Sequence, residues 1–344
     1  MATTDVDTFL TTVYCLIDDL YREHAAPIRA HRAGRPGELS DSEVLTLAVL
    51  AQWQSSGSER QFIRWAVNHW RSYFPHLLSQ SAFNRRVRNL YGVLARLSEW
   101  IRRAAEAQVG YTRVYEVIDG VPVPLMRRCR GHAHRLFGDE ADFGVGGSDH
   151  EPYYGVKVMA SVDALGFVTG WVEGPASTEE HWLAEALFGW RVQPDAPPPT
   201  ADQLAPILGP SHKEGGARRG PNGPLRGRVS AGQPSAAPIL ADLGLRGVTW
   251  RRHWRDDLGA QVLLKSDYRP GPHQHNAKRW FNGLRQIIES TFSRLETFHL
   301  KFPRAHTYWG LLTRLAAKFS AYNIALAVNH LVGHPTYAFF NPLT

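Results

Sequence analysis

Three carboxylates in this sequence stand where oxygen ligands could converge. Asp119 closes the run Arg113-Val114-Tyr115-Glu116-Val117-Ile118-Asp119, rich in β-branched and aromatic residues; Asp242 follows the buried-strand pattern Ala237-Pro238-Ile239-Leu240-Ala241; Glu289 falls inside a helical pattern over about 276–297. Ligands of open α/β sheets gather at strand ends, and a helix packed on the sheet can project a carboxylate into the same cleft. Such oxygens suit hard divalent cations: Mg²⁺ takes carboxylates and water in octahedral geometry, completed by substrate phosphate. Two such ions about 3.5–4 Å apart stabilise both the attacking and the leaving oxygen of a phosphoryl transfer. Arg285 lies four residues before Glu289, hence on the same helix face, placed either to pair with that carboxylate or to hold a phosphate.

The elements needed to position these acids are present after Gly110. Residues 113–119, 153–162 and 167–172 read as three consecutive antiparallel strands. A helix capped by Ser177 or Thr178 then runs to about Trp190, followed by a strand at 237–241, a helix at 248–258, a strand at 261–264 and the long helix carrying Glu289. Other acids compete for a role: Glu116, Asp163, Glu173, Asp256 and Asp257. Glu116 is at an odd offset from Asp119 and so faces the other side of its strand, while Asp256 and Asp257 follow Arg251, Arg252 and Arg255 on a solvated helix face.

The first hundred residues are patterned as helices throughout. Apolar residues recur at steps of three and four over 6–21, Ser40 and Glu43 form a capping box, Ser58 and Gln61 repeat that spacing, and a helix over about 81–107 carries Phe83, Val87, Leu90, Leu94 and Trp100. Two capped helices around a short Gly-containing turn resemble a helix-turn-helix, with Asn84, Arg85, Arg86 and Arg88 able to meet phosphates and base edges; a helical bundle with a solvated basic face gives the same pattern. The expected division is therefore an all-α unit at 1–110 and an α/β unit at 111–344, interrupted at about 194–236 by an exposed insertion rich in Pro, Gly and Arg.

With 344 residues, 43% of them hydrophobic and 21% charged, the chain is long enough for about two packed domains, which excludes disorder throughout. Two cysteines, Cys15 and Cys129, exclude a disulfide scaffold and fit a reducing compartment; the first residues lack the pattern of a signal peptide, and a cytoplasmic location is expected. The apolar stretch 311–331 is broken by Arg314, Lys318, Asn323 and Asn329, so it reads as a packed helix and not a membrane span. A net charge of +7 fits a polyanionic partner. Cys129, His132 and His134 are spaced like zinc ligands but lack a fourth, and the surrounding Arg127, Arg128, Arg130 and Arg135 point to DNA contact. Phe143-Gly144-Val145-Gly146-Gly147 has no phosphate-loop lysine.

The order of three strands, helix, strand, helix, strand, helix is that of a ribonuclease-H-like α/β mixed sheet flanked by helices. The chain resembles the insertion-sequence transposases of the DDE class, whose catalytic domain shares that fold with retroviral integrases. The resemblance is carried by Val117-Ile118-Asp119-Gly120-Val121-Pro122-Val123-Pro124, Tyr154-Gly155-Val156-Lys157, Ala241-Asp242-Leu243-Gly244-Leu245 and Arg285-Gln286-Ile287-Ile288-Glu289-Ser290-Thr291-Phe292, and covers most of the chain outside the insertion. It implies that Asp119, Asp242 and Glu289 hold two Mg²⁺ ions, with Mn²⁺ as a substitute, and that Arg285 positions the glutamate or DNA. It further implies a nucleoid-associated enzyme that binds the ends of its element and target DNA as a homo-oligomer, with no membrane partner. Arg85, Arg86, Arg88, Arg127, Arg128, Arg130, Lys157, Lys301 and Arg304 are its candidate DNA contacts. The family's signature also has Tyr three residues before the Arg and Lys seven after the Glu, where this sequence has Asn282 and Glu296; Lys301, Arg304 and His306 follow with positive charge. A related nuclease that cuts without joining, and a catalytically silent DNA-binding relative, fit the same residues.

Overall fold

The computed structural model describes residues 5–29, 37–54, 58–110, 113–133, 136–146, 150–192, 236–267 and 275–343. All but the last residue of the expected 194–236 insertion lies outside them. The chain divides into two compact units, one formed by 1–111 together with 294–344 and one by 112–293. The first boundary falls where composition changes, but the expected α/β unit stops at Ser293 instead of running to the end.

The helical unit contains α1 (Val6–His24), α2 (Ala26–Arg29), α3 (Asp41–Leu50), α4 (Glu59–His69), α5 (Gln80–Asn89) and α6 (Tyr91–Val109). Asp5 caps α1 by accepting the Thr8 N–H, and the helix buries Phe9, Leu10, Val13, Ile17 and Leu20 on one face. At α3 the capping box forms as its spacing predicts: Ser40 Oγ accepts from Glu43 N–H at 3.1 Å and Glu43 Oε2 from Ser40 N–H at 2.6 Å. The helix expected over 81–107 is two helices. Leu90 (φ −96°, ψ 6°) breaks it, yet Leu90 is itself buried, so the apolar period runs through the break and conceals it.

The last 51 residues return to this unit because of one helix, Tyr308–Val332, which is buried from Leu311 to Asn329 at every position but Arg314. Its polar residues are satisfied inside the core. Asn323 Nδ2 donates to the Ser98 carbonyl at 2.8 Å, Ser320 Oγ to the Leu94 carbonyl at 3.1 Å, and Lys318 Nζ to Gln52 Oε1 at 3.0 Å and the Phe298 carbonyl at 2.7 Å. Burial, with Arg314 nearby, pulls the Lys318 ammonium down to about 7. Among the described residues no helix is long and apolar enough to cross a membrane.

The second unit is a mixed sheet flanked by helices. Its strands are β1 (Glu116–Met126), β2 (Asp142–Gly146), β3 (Glu151–Asp163), β4 (Val168–Pro175), β5 (Ile239–Ala241) and β6 (Val262–Leu264). Its helices are α7 (Arg128–Ala133), α8 (Glu180–Val192), α9 (Val248–Leu258) and α10 (His275–Leu295), and Tyr308–Val332 of the helical unit becomes α11. β3 pairs antiparallel with β1 along one edge and, along the other, with β2 over 151–155 and β4 over 156–162. β5 pairs parallel with β1, and β6 parallel with β5.

β1 does not end at Asp119 as expected but continues through Pro122 and Pro124 to Met126. Beyond Val117 it has β3 on one side and no described strand on the other, and such an edge tolerates prolines. Near its end, between Pro124 and Met126, the register shifts. There an added Cβ on Gly155 would lie 2.2 Å from the Val123 carbonyl oxygen, so only glycine lets the two strands approach. The unforeseen β2 extends the sheet through Phe143-Gly144-Val145, the segment read from sequence only as a failed phosphate loop.

The carboxylate of Glu116 is fully buried on β1, meeting Arg191 Nη2 of α8 at 2.8 Å, Arg113 Nη1 at 2.7 Å and the Thr169 hydroxyl at 2.8 Å. Burial alone would raise this carboxyl, but Arg191 and Arg113 hold it down at about 2. Because the folded value lies below the ordinary 4.5, the stabilisation is complete above about pH 4.5 and is lost as pH falls towards 2. Replacing Arg191 by Leu strands the charge, and urea unfolding of the full chain at pH 7 is expected to lose about 3–5 kcal/mol. Adding Glu116→Gln to that variant should recover part of the loss and flatten the acid limb between pH 4.5 and 2.

Candidate active site

The parallel register of β1 and β5 brings the two aspartates together. Glu116 pairs with Ile239 and Val117 with Leu240, and two further steps set Asp119 level with Asp242. Asp242 leaves β5 as the N-cap of a single 3₁₀ turn, Leu243–Leu245, its Oδ1 accepting the Gly244 N–H at 2.6 Å. Asp119 Oδ1 accepts the Gly120 N–H at 2.8 Å, and Oδ2 lies 3.3 Å from Arg285 Nη2 of α10. The arginine expected either to pair with Glu289 or to hold a phosphate thus pairs with Asp119. Glu289 lies one turn further along α10, in a recess of about 530 Å³ that Arg285 also lines.

The Asp119 carboxyl is pushed up to about 7, first by burial and then by the Asp242 carboxylate; Gly120 N–H and Arg285 oppose the rise, and Glu180 adds to it. Glu180 is the residue that the sequence reading missed. It begins α8 and stands against both aspartate loops: a Cβ on Gly244 would be 2.3 Å from Glu180 Oε2 and 2.8 Å from Asp242 Oδ1, and one on Gly120 would be 3.4 Å from Glu180 Oε1. Acids in a first helical turn are ordinarily partners of the helix dipole, which hid this one; its only sequence signal is that its helix follows directly on the strand hairpin beside Asp119. Lys157 of β3, a predicted contact, has its Nζ 3.8 Å from Glu180 Oε1 and donates to the Thr178 carbonyl at 3.2 Å.

Four of the five competing acids have other work. Asp163 caps the β3–β4 turn through the N–H groups of Leu165 and Phe167, both at 3.0 Å. Asp256 pairs with Arg255 at 2.7 Å on the surface. Asp257, expected on a solvated face, is exposed but reaches His253 Nδ1 at 2.6 Å, while His253 Nε2 lies 3.0 Å from buried Glu185. Glu116 faces away from Asp119 into its arginine pair, as the strand alternation requires.

Among the predicted DNA contacts, Arg127, Arg128 and Arg130 are exposed at the end of β1 and on α7. In the helical unit Arg85 is exposed and Arg88 partly so, whereas the Arg86 guanidinium is committed to the Leu39 carbonyl and to Asp41 Oδ1 at 2.6 Å. Lys301 pairs with Glu296 at 2.9 Å, and Arg304 is exposed. Cys129 is exposed, His132 stacks on Phe143 with ring centres 4.3 Å apart, and His134 lies outside the described residues. Among the described residues no three His, Cys, Asp or Glu side chains are grouped to hold a metal ion. Two neighbouring aspartates, one of them raised by burial and by the charge of the other, nevertheless supply oxygen donors and surplus negative charge suited to a hard cation.

No protein-family model, curated protein or solved structure matches the chain.

Removing the Asp242 charge should lower the Asp119 carboxyl from about 7, measurable as a downward shift of its ¹³Cγ titration in Asp242→Asn. The unfolded chain ionises Asp119 near 3.8 and the folded chain near 7, so the native fold loses stability between those values and stays lower above them. Thermal melts should therefore show Asp119→Asn gaining on the native protein from pH 4 to pH 7, with a constant difference above pH 7.

Proposed function

We propose that this protein is a DNA transposase of the DDE class, which binds the ends of its own mobile element, cuts with water as the nucleophile and joins the resulting 3′-hydroxyl to target DNA. The observation that carries the reading is the placement of Asp119 on β1 beside Asp242 at the end of the adjacent parallel strand β5, with α10 presenting Arg285 to Asp119 and Glu289 one turn beyond. The mixed sheet lends support: its order β4-β3-β1-β5-β6, with three antiparallel strands followed by two parallel to β1, is compatible with a ribonuclease-H-like domain.

Asp119, Asp242 and Glu289 would hold Mg²⁺, two ions in the full reading, with Mn²⁺ as a substitute. Divalent ions so bound supply activation of the attacking water and neutralisation of charge on the phosphate. The chain's own groups do the rest. Asp119, raised to about 7, takes or gives a proton near neutrality when no cation is bound. Arg285 supplies positive charge beside Asp119 and keeps donors for a phosphate oxygen. Lys157 holds Glu180 at the edge of the same cleft, and Arg127, Arg128 and Arg130 offer exposed charge to a DNA backbone. Assembly as a homo-oligomer follows from the need to hold two element ends at once. The absence of a three-ligand group among the described residues favours the rival reading, a catalytically silent DNA-binding relative.

Labelled DNA carrying the segments that flank this gene, incubated with Mg²⁺ or Mn²⁺, separates them. Cutting and joining by the native protein, reduced at least about 100-fold in Glu289→Gln with DNA binding retained, is the expected result. Cutting without joining would indicate a nuclease, and binding without cutting a silent relative.

A further inference from the structure

A buried ionic contact joins α8 to α9. Glu185 of α8 is 3% exposed and His253 of α9 is 8% exposed. Glu185 Oε2 accepts the Trp254 indole N–H at 2.7 Å, and Glu185 Oε1 lies 3.0 Å from His253 Nε2. The other ring nitrogen, His253 Nδ1, lies 2.6 Å from Asp257 Oδ2, one turn further along α9. A carboxylate can only accept, so a ring set between two of them must donate from both nitrogens, which only the imidazolium does. Burial opposes that charge, but the hydrogen bonds and charges of Glu185 and Asp257 outweigh it and hold His253 above its ordinary 6.5. The other charged groups of α9 point elsewhere: Arg251 pairs with Asp267 at 2.6 Å, Arg255 with Asp256 at 2.7 Å, and Arg252 is exposed. From α8, a further titratable group at the seam is His181, whose ring stacks on Trp254.

The same seam shapes the surroundings of Asp242. One turn before Glu185, the His181 ring centre lies 5.5 Å from that of Trp250 and 5.9 Å from that of Trp254, and His181 Nε2 meets the Arg246 carbonyl at 2.7 Å. A recess of about 550 Å³ opens there, lined by Lys157, Glu180, His181, Gly244, Arg246 and Trp250 among others. Glu180 and Gly244 stand against Asp242. We infer that His253 is a proton-operated clamp: its imidazolium fastens α9 to α8 and holds this recess in shape, and loss of the proton frees α9 and loosens the recess. Asp257 is exposed and turns to water once the ring is neutral, which leaves Glu185 a buried carboxylate beside an uncharged partner. The folded His253 holds its proton more tightly than the unfolded chain does. Its contribution is therefore complete below about pH 6.5 and is lost as pH rises through the folded value. The clamp belongs to the seam and holds whichever reaction the neighbouring acids serve.

The test follows the full-length protein, ¹⁵N-labelled in histidine and tryptophan, by NMR from about pH 5 to about pH 10. Both ring nitrogens of His253 are expected to carry protons up to a midpoint above 6.5, and the Trp254 indole peak to move with that same midpoint. Hydrogen exchange of the α9 amides, corrected for intrinsic rates and referred to β3, should speed about tenfold through the midpoint, the size expected for losing one hydrogen bond to a charged group. Asp257→Asn should lower the midpoint and carry the change in exchange with it. His253→Gln, which takes up no proton, should exchange fast at every pH. A His253 midpoint at or below 6.5, or α9 protection that is equal on both sides of it, overturns the clamp. So does a pH-dependent loosening of α9 that survives in His253→Gln. If that variant does not fold, Asp257→Asn decides by itself, and a midpoint left where the native protein has it overturns the clamp.

Discussion

A charge buried in the sheet dictates much of what surrounds it. Glu116 has no access to water, so it requires cations and hydroxyls at fixed positions, and it finds them in Arg191 of α8, Arg113 just upstream and Thr169 of β4. That requirement fixes which face of β1 lies beneath α8. Strand alternation then turns Asp119 to the other face, where Arg285 of α10 meets it. A slip of one residue would bury Asp119 and expose Glu116, costing the ion pairs and the site together. The parallel pairing with β5 completes the geometry by setting Asp242 beside Asp119.

Two carboxyls three residues apart on one strand therefore end at opposite extremes, about 2 for Glu116 and about 7 for Asp119. Both are largely desolvated; neighbours decide the difference. Glu116 is surrounded by more positive charge than it needs, while Asp119 has a single guanidinium against two other carboxylates. The first arrangement serves the fold. The second keeps negative charge concentrated where the fold alone gains nothing from it, as sites that bind cations or move protons do.

Local chemistry was legible in the sequence wherever neighbours in the chain determine it. The Ser40–Glu43 capping box, the limits of Val248–Leu258 and the opposed faces of Glu116 and Asp119 all follow from spacing. Asp119 and Asp242 could be picked out because each stands by a strand, and Glu289 and Arg285 because they share a helix face. What escaped depends on distant partners. The prolines of β1 look like a strand end until it is known that β5 stops beside them, and Gly144 looks like a loop residue until β3 pairs with it. Leu90 maintains the apolar rhythm while its backbone leaves the helix. Glu180 becomes visible only when α8 is set against the turn after β5, and the pairing of Arg285 with Asp119 was not foreseen because that partner lies 166 residues away.

The helical unit is made of two pieces of chain with the whole α/β unit encoded between them. Its buried central helix, α11, is synthesised only after the α/β unit. At ordinary synthesis rates of about 5–20 residues per second, the apolar faces of α1, α3 and α6 await that helix for roughly 10–40 s, while the α/β unit can already fold. A message cut short anywhere before α11 thus yields a chain whose first hundred residues have no core to join. Such a product would be a substrate for proteolysis, because the helical unit can assemble only once α11 has been made.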